Sequence, residues 1–459
     1  MKRQFILLFS IISFLSCQNA EKNNNSNTPE ELPNIVLIIG DDQGAPYFGF
    51  MGADYVQTPN MDTLAKSGTL FINGYVPDNH CRPSLQALMT GTLPIDYKKE
   101  VEKLLAEEIA NKKFDSEKSQ RDFEIDFRHH AMKHFITLPR YLSEKGYVSF
   151  QGGKWWEFNY HNGGFDVGMT EGWTEEEKED GSSWFKRFMG GDGLELGRLT
   201  MEPVYEFIEE NHEKPFFIWY APELPHYPFN AAEKYYNIYK DEEMTESAKR
   251  YYANCTWFDD GVGELTKFLK EKNEFNNTLF IYVNDNGWEQ NPDQEFRHDS
   301  LRWHNGGDKG KLSLYDQSFR TPIIFSWKNK IDSDKRKNHL IESADIPATI
   351  LDYVGIKTPE NFHGKSLKSL INEDRGNGRE LIIGNSNKMR SEEDMMGKDI
   401  EGYWLRNEKY FFRWIKSEEE TALYDMDTDP NNEVNLAEEN SDIVNELKKE
   451  IDNWVSSKN

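Results

Sequence analysis

Residues 35–39 (IVLII) form an unbroken aliphatic run between Asn34 and Gly40, the texture of a strand buried on both faces. Residues 278–283 (TLFIYV), 215–220 (PFFIWY) and 147–150 (YVSF) repeat that texture. Between these runs apolar positions recur at helical spacing, as in 61–67, which stops at Gly68, and in 138–145, which stops at Gly146. Strands alternating with helices predict an α/β fold with a large, mostly parallel sheet sandwiched by helices. Open sheets of this kind hold ligands beyond the carboxyl ends of their strands, so the residues directly after each run carry the chemistry.

Those residues are polar in every case. The first run ends in Asp41-Asp42, the second in Asp285-Asn286-Gly287, the third leads to Pro225-His226-Tyr227-Pro228, and the fourth to Gly153-Lys154. Asp41, Asp42, Asp285 and Asn286 offer hard oxygen ligands, which suit Ca²⁺ or Mg²⁺ better than zinc or copper. A single Asp pair more often begins a turn or caps a helix; the second acidic strand end tips the reading to a metal. Cys81 opens the segment 81–91 (CRPSLQALMTG), with Pro83 fit for a first helical turn and Gly91 for a stop. A cysteine at such a helix start sits where negative charge is favoured. The residue alone is equally compatible with a buried thiol or with a disulfide to Cys255.

Composition narrows the class. With 459 residues, the chain has room for two or three units, or for one large α/β domain with an appendage. The 54 basic against 80 acidic residues give a net charge of −26, which argues against nucleic acid as a partner. Lys2 and Arg3 precede an apolar stretch over 5–15, the layout of an export signal too short to span a bilayer. Residues 14–17 (FLSC) resemble a bacterial lipoprotein cleavage box, in which Cys17 is lipidated; a plain secretory signal is the alternative. Residues 1–17 are thus expected to be a signal peptide and 18–33 a flexible linker, on an exported periplasmic or cell-surface lipoprotein of a bacterium, touching membrane only through its anchor.

These segments together resemble type I sulfatases, the formylglycine-dependent branch of the alkaline phosphatase superfamily. The similar stretches are 34–42 (NIVLIIGDD), 58–65 (TPNMDTLA), the Cys81-Arg82-Pro83-Ser84 box, Gly153-Lys154-Trp155, 225–228, 285–287, 311–322 and 423–437. The resemblance implies an alkaline phosphatase-like fold over 34–375 and a smaller C-terminal antiparallel sheet subdomain over 376–459. It implies that a formylglycine-generating enzyme oxidises Cys81 to formylglycine before folding. One hydroxyl of the hydrated aldehyde then attacks the sulfur of a sulfate ester, releasing the alcohol and leaving a covalent sulfated enzyme, and the second hydroxyl loses a proton and expels sulfate to restore the aldehyde. In this mapping Asp41, Asp42, Cys81, Asp285 and Asn286 hold one Ca²⁺, Lys154 and Lys311 neutralise sulfate oxygens, and His226 serves the leaving oxygen.

Two positions depart from the family pattern. Leu85 stands where the box usually has Arg, and Trp156 where Gly-Lys-Trp is usually followed by His. Arg82 or His161 is expected to compensate. Residues 97–134 look inserted, with an amphipathic helix around Leu104, Leu105 and Ile109; His129, His130 and His134 are expected to be exposed, with substrate contact the alternative. Tyr403, Trp404, Phe411, Phe412 and Trp414 are expected in the core, closed by a helix over 443–454. Trp155, Trp156, Phe158, Tyr160 and Trp173 lie near the expected site loops, where some would stack on sugar rings. The expected activity is hydrolysis of sulfate esters on a sulfated carbohydrate, a polysaccharide or its oligosaccharides, such as algal ulvan. The acidic chain must capture that anion with local Lys and Arg. The alternatives are a phosphodiesterase or phosphonate hydrolase of the same superfamily, or a catalytically silent glycan-binding relative.

Overall fold

The computed structural model describes residues 32–172, 188–296, 306–373, 375–391 and 397–458. The expected signal with Cys17, nearly all of the linker, and Trp173 lie outside these residues. All the elements named here belong to the unit Pro33–Asn459.

Eight strands form the main sheet: β1 (Asn34–Gly40), β2 (Thr69–Tyr75), β3 (Val148–Gly153), β4 (Val167–Gly168), β5 (Phe216–Ala221), β6 (Thr278–Asn284), β7 (Arg320–Ser326) and β8 (Lys335–Glu342). Their order is β4-β3-β5-β1-β6-β7-β2-β8, and only β7 runs against its neighbours β6 and β2. The aliphatic β1 lies between β5 and β6, with Val36 opposite Ile218 on one side and Phe280 on the other. All seven of its residues are buried, as a two-faced aliphatic run requires. Helices Pro59–Lys66, Glu202–Asn211 and Glu246–Glu271 lay apolar faces on Val36, Ile38, Phe150 and Phe280. The mostly parallel α/β fold expected from the alternation is thus present.

Since β1, β2, β3, β5 and β6 point the same way, one sheet edge receives Asp41, Lys154, the His226 loop, Asp285 and the segment leading to Cys81. Pairing continues slightly past the strands: the Asp41 N–H donates to the Leu224 carbonyl at 3.0 Å, which fastens the His226 loop beside β1. At Gly153 the backbone turns with φ +94°, and a Cβ there would lie 2.0 Å from the Ala221 oxygen. Glycine is therefore required, and the next residue, Lys154, donates its N–H to that same oxygen at 2.6 Å.

The C-terminal sheet has four antiparallel strands, β9 (Leu381–Met389), β10 (Lys398–Asn407), β11 (Tyr410–Ile415) and β12 (Glu420–Asp425), in the order β12-β11-β10-β9. Period-two alternation divides its aromatics. Trp404 and Phe411 pack with Tyr75 and Phe319 of the main body, while Tyr403, Phe412 and Trp414 pack with Val444, Leu447 and Ile451 of the closing helix Ser441–Ser457. Phe319 and Trp404 stack with centroids 4.4 Å apart. Trp404→Ala is expected to cost about 3–5 kcal/mol by opening a cavity at this seam, measured as a lower denaturant midpoint.

The inserted segment forms two helices, Pro94–Ala110 and Glu117–His129. Pro94 starts the first helix before residue 97, so its buried stripe is Tyr97, Val101 and Leu105; Leu104 and Ile109 are only half-buried. His134 is exposed as expected, but His129 and His130 are half-buried. The cover comes from outside the insertion: the His129 ring lies 4.9 Å from Phe188, and His130 Nδ1 lies 3.0 Å from Asn162 Nδ2.

Candidate active site and metal centre

One acidic nest sits at the shared sheet edge. Asp41, Asp42, Cys81 and Asp285 are all buried, and one ligand atom from each lies within 4.8 Å of the others. Asn286 completes the group, donating from Nδ2 to Asp42 Oδ1 at 2.6 Å and accepting the Cys81 thiol on Oδ1 at 3.1 Å. Asp42 adopts φ +61°, rare for a residue with a side chain, while Tyr251 donates its hydroxyl to the Asp42 carbonyl at 2.9 Å.

Two buried lysines face the nest. Lys154 Nζ lies 2.6 Å from Asp41 Oδ1 and 3.5 Å from Asp285 Oδ2. Lys311 Nζ donates to both oxygens of Asp42 at 2.9 Å and lies 3.3 Å from the Cys81 sulfur. His226 points Nε2 at Asp42 Oδ2, 3.4 Å away, and its Nδ1 lies 2.5 Å from the Tyr227 carbonyl. Asp41, Asp42, Cys81, Lys154, His226, Asp285, Asn286 and Lys311 are therefore brought to one place.

The charges shape each other. Burial raises the Asp41 carboxyl, but the Lys154, His226 and Lys311 charges outweigh it and hold the group low. Asp285 goes the opposite way, raised to about 7 by burial and by the Asp41 charge. Burial and the acids Asp285 and Asp41 push the Cys81 thiol up, outweighing the nearby Lys154 and Lys311 charges, so it stays neutral at ordinary pH. His226 is lowered to about 4, chiefly by burial, so its imidazole is neutral near pH 7. Three buried carboxylates and an amide oxygen, with one carboxylate oxygen, Asp41 Oδ2, lacking a hydrogen-bond partner, make a donor set that fits a hard divalent cation.

The nest opens into a cavity of about 1010 Å³. Cys81 lies at the start of the helix Cys81–Thr90, with Pro83 in the first turn and Gly91 at φ +65° as its stop. Other walls include His80, Arg82, Trp156, Phe188, Arg198 and Trp257. Arg82 lines the cavity as one of the two expected compensators, with its Nε 2.9 Å and Nη2 3.0 Å from the carboxylate of Glu157. His161 does not reach it: the side chain is exposed and lies against Tyr160, 4.0 Å between ring centroids. Leu85 is buried on its helix. Trp156 takes up wall space, with Lys154 Nζ 5.7 Å from its ring centre. Trp155 packs inside against Trp219, and neither Phe158 nor Tyr160 lines the cavity.

Cys255 lies among Tyr47, Tyr251 and Trp288 in a separate cluster, and both it and Cys81 are free thiols, so the disulfide alternative falls. Sequence reasoning missed Asp78, His80, Glu157 and Arg198. For His80 and Glu157 the signal was adjacency to Cys81 and Trp156; Arg198, which donates to the His226 carbonyl at 2.7 Å, had none.

Comparison with known proteins agrees with this architecture. The sulfatase family model matches residues 33–356, and a model for the C-terminal region of N-sulphoglucosamine sulphohydrolase matches 307–457. An arylsulfatase of Clostridium perfringens is 26% identical over 479 residues, covering 91% of this chain and 93% of its own. An ulvan-active sulfatase of Formosa agariphila is 22% identical over 513 residues, covering 99% and 89% respectively. Among solved structures, a sulfatase from Pseudoalteromonas sp. shares the fold with a TM-score of 0.65 at 20% identity, over 93% of this chain and 90% of that one.

Proposed function

The chain belongs to the type I sulfatase family and is a sulfuric ester hydrolase; from that premise we propose that its substrate is a sulfated polysaccharide or the oligosaccharides derived from it, with ulvan a fitting type. The observation that carries this reading is the nest of Asp41, Asp42, Cys81 and Asp285 within 4.8 Å at the floor of an open cavity. Formylglycine made from Cys81 would supply the attacking oxygen, and Asp41, Asp42, Asp285 and Asn286 would hold a Ca²⁺ that would supply positive charge to the sulfate group.

The remaining roles belong to the chain's own side chains. Lys154 and Lys311 flank the nest from two sides and hold positive charge where sulfate oxygens would lie. His226, neutral near pH 7, is in place to orient the leaving oxygen. The aromatic and apolar walls exclude water and offer faces to sugar rings, while Arg82, Arg198 and Lys388 bring local positive charge to a chain of net −26. Export as a lipoprotein belongs to the same proposal and suits an enzyme that meets a polymer outside the cell.

Matched assays test the reading. The same sugar esterified with sulfate or with phosphate is offered to protein produced alongside a formylglycine-generating enzyme. Turnover of the sulfate ester at least about 100-fold faster is expected. Preference for phosphate would favour the phosphodiesterase alternative, and retention of the sugar without turnover, in protein shown to carry the aldehyde, would favour the silent one.

A further inference from the structure

His80 immediately precedes Cys81 and lines the same cavity, and its hydrogen bonds settle which ring nitrogen carries the proton. The contacts that decide it start one residue earlier. Asn79 is fully buried, and its Nδ2 donates to the Ser313 carbonyl at 3.0 Å and to the Lys388 carbonyl at 3.1 Å. Two carbonyls fix the amide orientation, so the other atom is the oxygen. That Oδ1 accepts from Ser386 Oγ at 2.5 Å and lies 3.2 Å from His80 Nδ1. A second acceptor, Asp78 Oδ1, lies 3.7 Å from the same nitrogen and also accepts the His80 backbone N–H at 3.0 Å.

With only acceptors facing Nδ1, that nitrogen bears a hydrogen, and in the tautomer this geometry selects the lone pair lies on Nε2. Nε2 has no hydrogen-bond partner among the described residues, and 20% of the side chain is exposed. Elsewhere the cavity wall carries the cationic donors Arg82, Arg198, Lys311 and Lys388, which suit an anion, and the acids Asp78, Glu195 and Glu223. A hydroxyl beside Cys81 needs an acceptor, and of the two lining residues that flank Cys81 in the chain, His80 and Arg82, only His80 can accept.

We propose that His80 is a binding residue whose Nε2 accepts a hydrogen bond from a hydroxyl group held next to Cys81. Two sources share that chemistry: a hydroxyl of the sulfated sugar, or a hydroxyl of the hydrated aldehyde. The assignment rests on the sulfatase reading and adds a contact that Asp41, Asp42 and the lysines do not provide.

The experiment compares wild type with His80→Phe, which keeps a ring but removes the acceptor, and His80→Gln, which restores an acceptor at similar reach. Each is assayed on a sulfated oligosaccharide and on 4-nitrophenyl sulfate, which has no hydroxyl. Calorimetry then gives Kd for the oligosaccharide in a Cys81→Ala background, where no aldehyde can form. A sugar hydroxyl predicts that His80→Phe raises KM and Kd for the oligosaccharide roughly ten-fold, spares the aryl sulfate, and is rescued by His80→Gln. An aldehyde-derived hydroxyl predicts a roughly ten-fold lower kcat on both substrates, an unchanged Kd, and the same rescue.

Values within two-fold of wild type throughout, or losses that His80→Gln does not restore, overturn the assignment. Wild-type protein that carries the aldehyde yet turns over neither substrate would instead overturn the sulfatase reading. The calorimetric comparison then decides the sugar-hydroxyl contact alone, and an unchanged Kd overturns that contact.

Discussion

Cys81→Ala is expected to lower turnover of a sulfate ester by on the order of 10⁴-fold or more, leaving the thermal midpoint nearly unchanged. The cause lies in the side chain as encoded. Its thiol is buried, and the neighbouring acids Asp285 and Asp41 push its ionisation up, so an unconverted Cys81 is neutral and a poor nucleophile. Alanine loses the polar contacts with Asn286 and Lys311 and has no heteroatom on its Cβ, so it cannot give the aldehyde expected from the cysteine. Initial rates measure the loss, and mass spectrometry of the peptide containing Cys81 in the wild type measures conversion. Active protein from native cells with an unmodified thiol at position 81 would defeat the mechanism.

Removal of the divalent cation should have the next largest effect. Chelation is expected to lower activity by roughly 100-fold or more, with recovery on adding Ca²⁺, and Asp41→Asn should resemble the chelated enzyme. Saturating Ca²⁺ should also raise stability by about 2.7 kcal/mol at a hundred-fold excess over Kd. A pH dependence accompanies this. In metal-free protein the folded-state value of Asp285 is raised to about 7, above that of the unfolded chain, so folding takes up a proton between the two. That contribution is complete below the ordinary carboxylate range and is lost as pH rises through about 7, so metal-free protein should melt lower at pH 8 than at pH 5. Asp41, held low, acts only in more acid solution, where its sign is opposite. Ca²⁺ requires the deprotonated carboxylate and should reverse the trend. Melting curves at the two pH values, with and without chelator, test it; curves indifferent to Ca²⁺ would remove the metal from the account.

The site was legible in the sequence where chemistry comes directly after a strand. The runs over 35–39, 147–150, 215–220 and 278–283 are all strands of the main sheet, and parallel pairing then obliges Asp41, Lys154, His226 and Asp285 to meet. The features that escaped depend on contacts between distant segments. Asn79 orients His80 through Ser313 and Lys388, residues 234 and 309 positions away, and no local spacing announces such a contact. The reversal of β7 was equally hidden, since its apolar texture does not encode direction. The insertion was recognised, but its histidines were misjudged because Phe188 and Asn162, which half-cover them, lie outside it.

The same Asn79 contacts have a consequence for the order of events during synthesis. The loop ahead of Cys81 is clasped by Ser386 and the Lys388 carbonyl on β9, at the far end of the chain. A ribosome making this protein delivers the cysteine some three hundred residues before the clasp that seals it. An enzyme that converted Cys81 before folding, as the family resemblance implies, would have that whole interval before β9 closes on the loop.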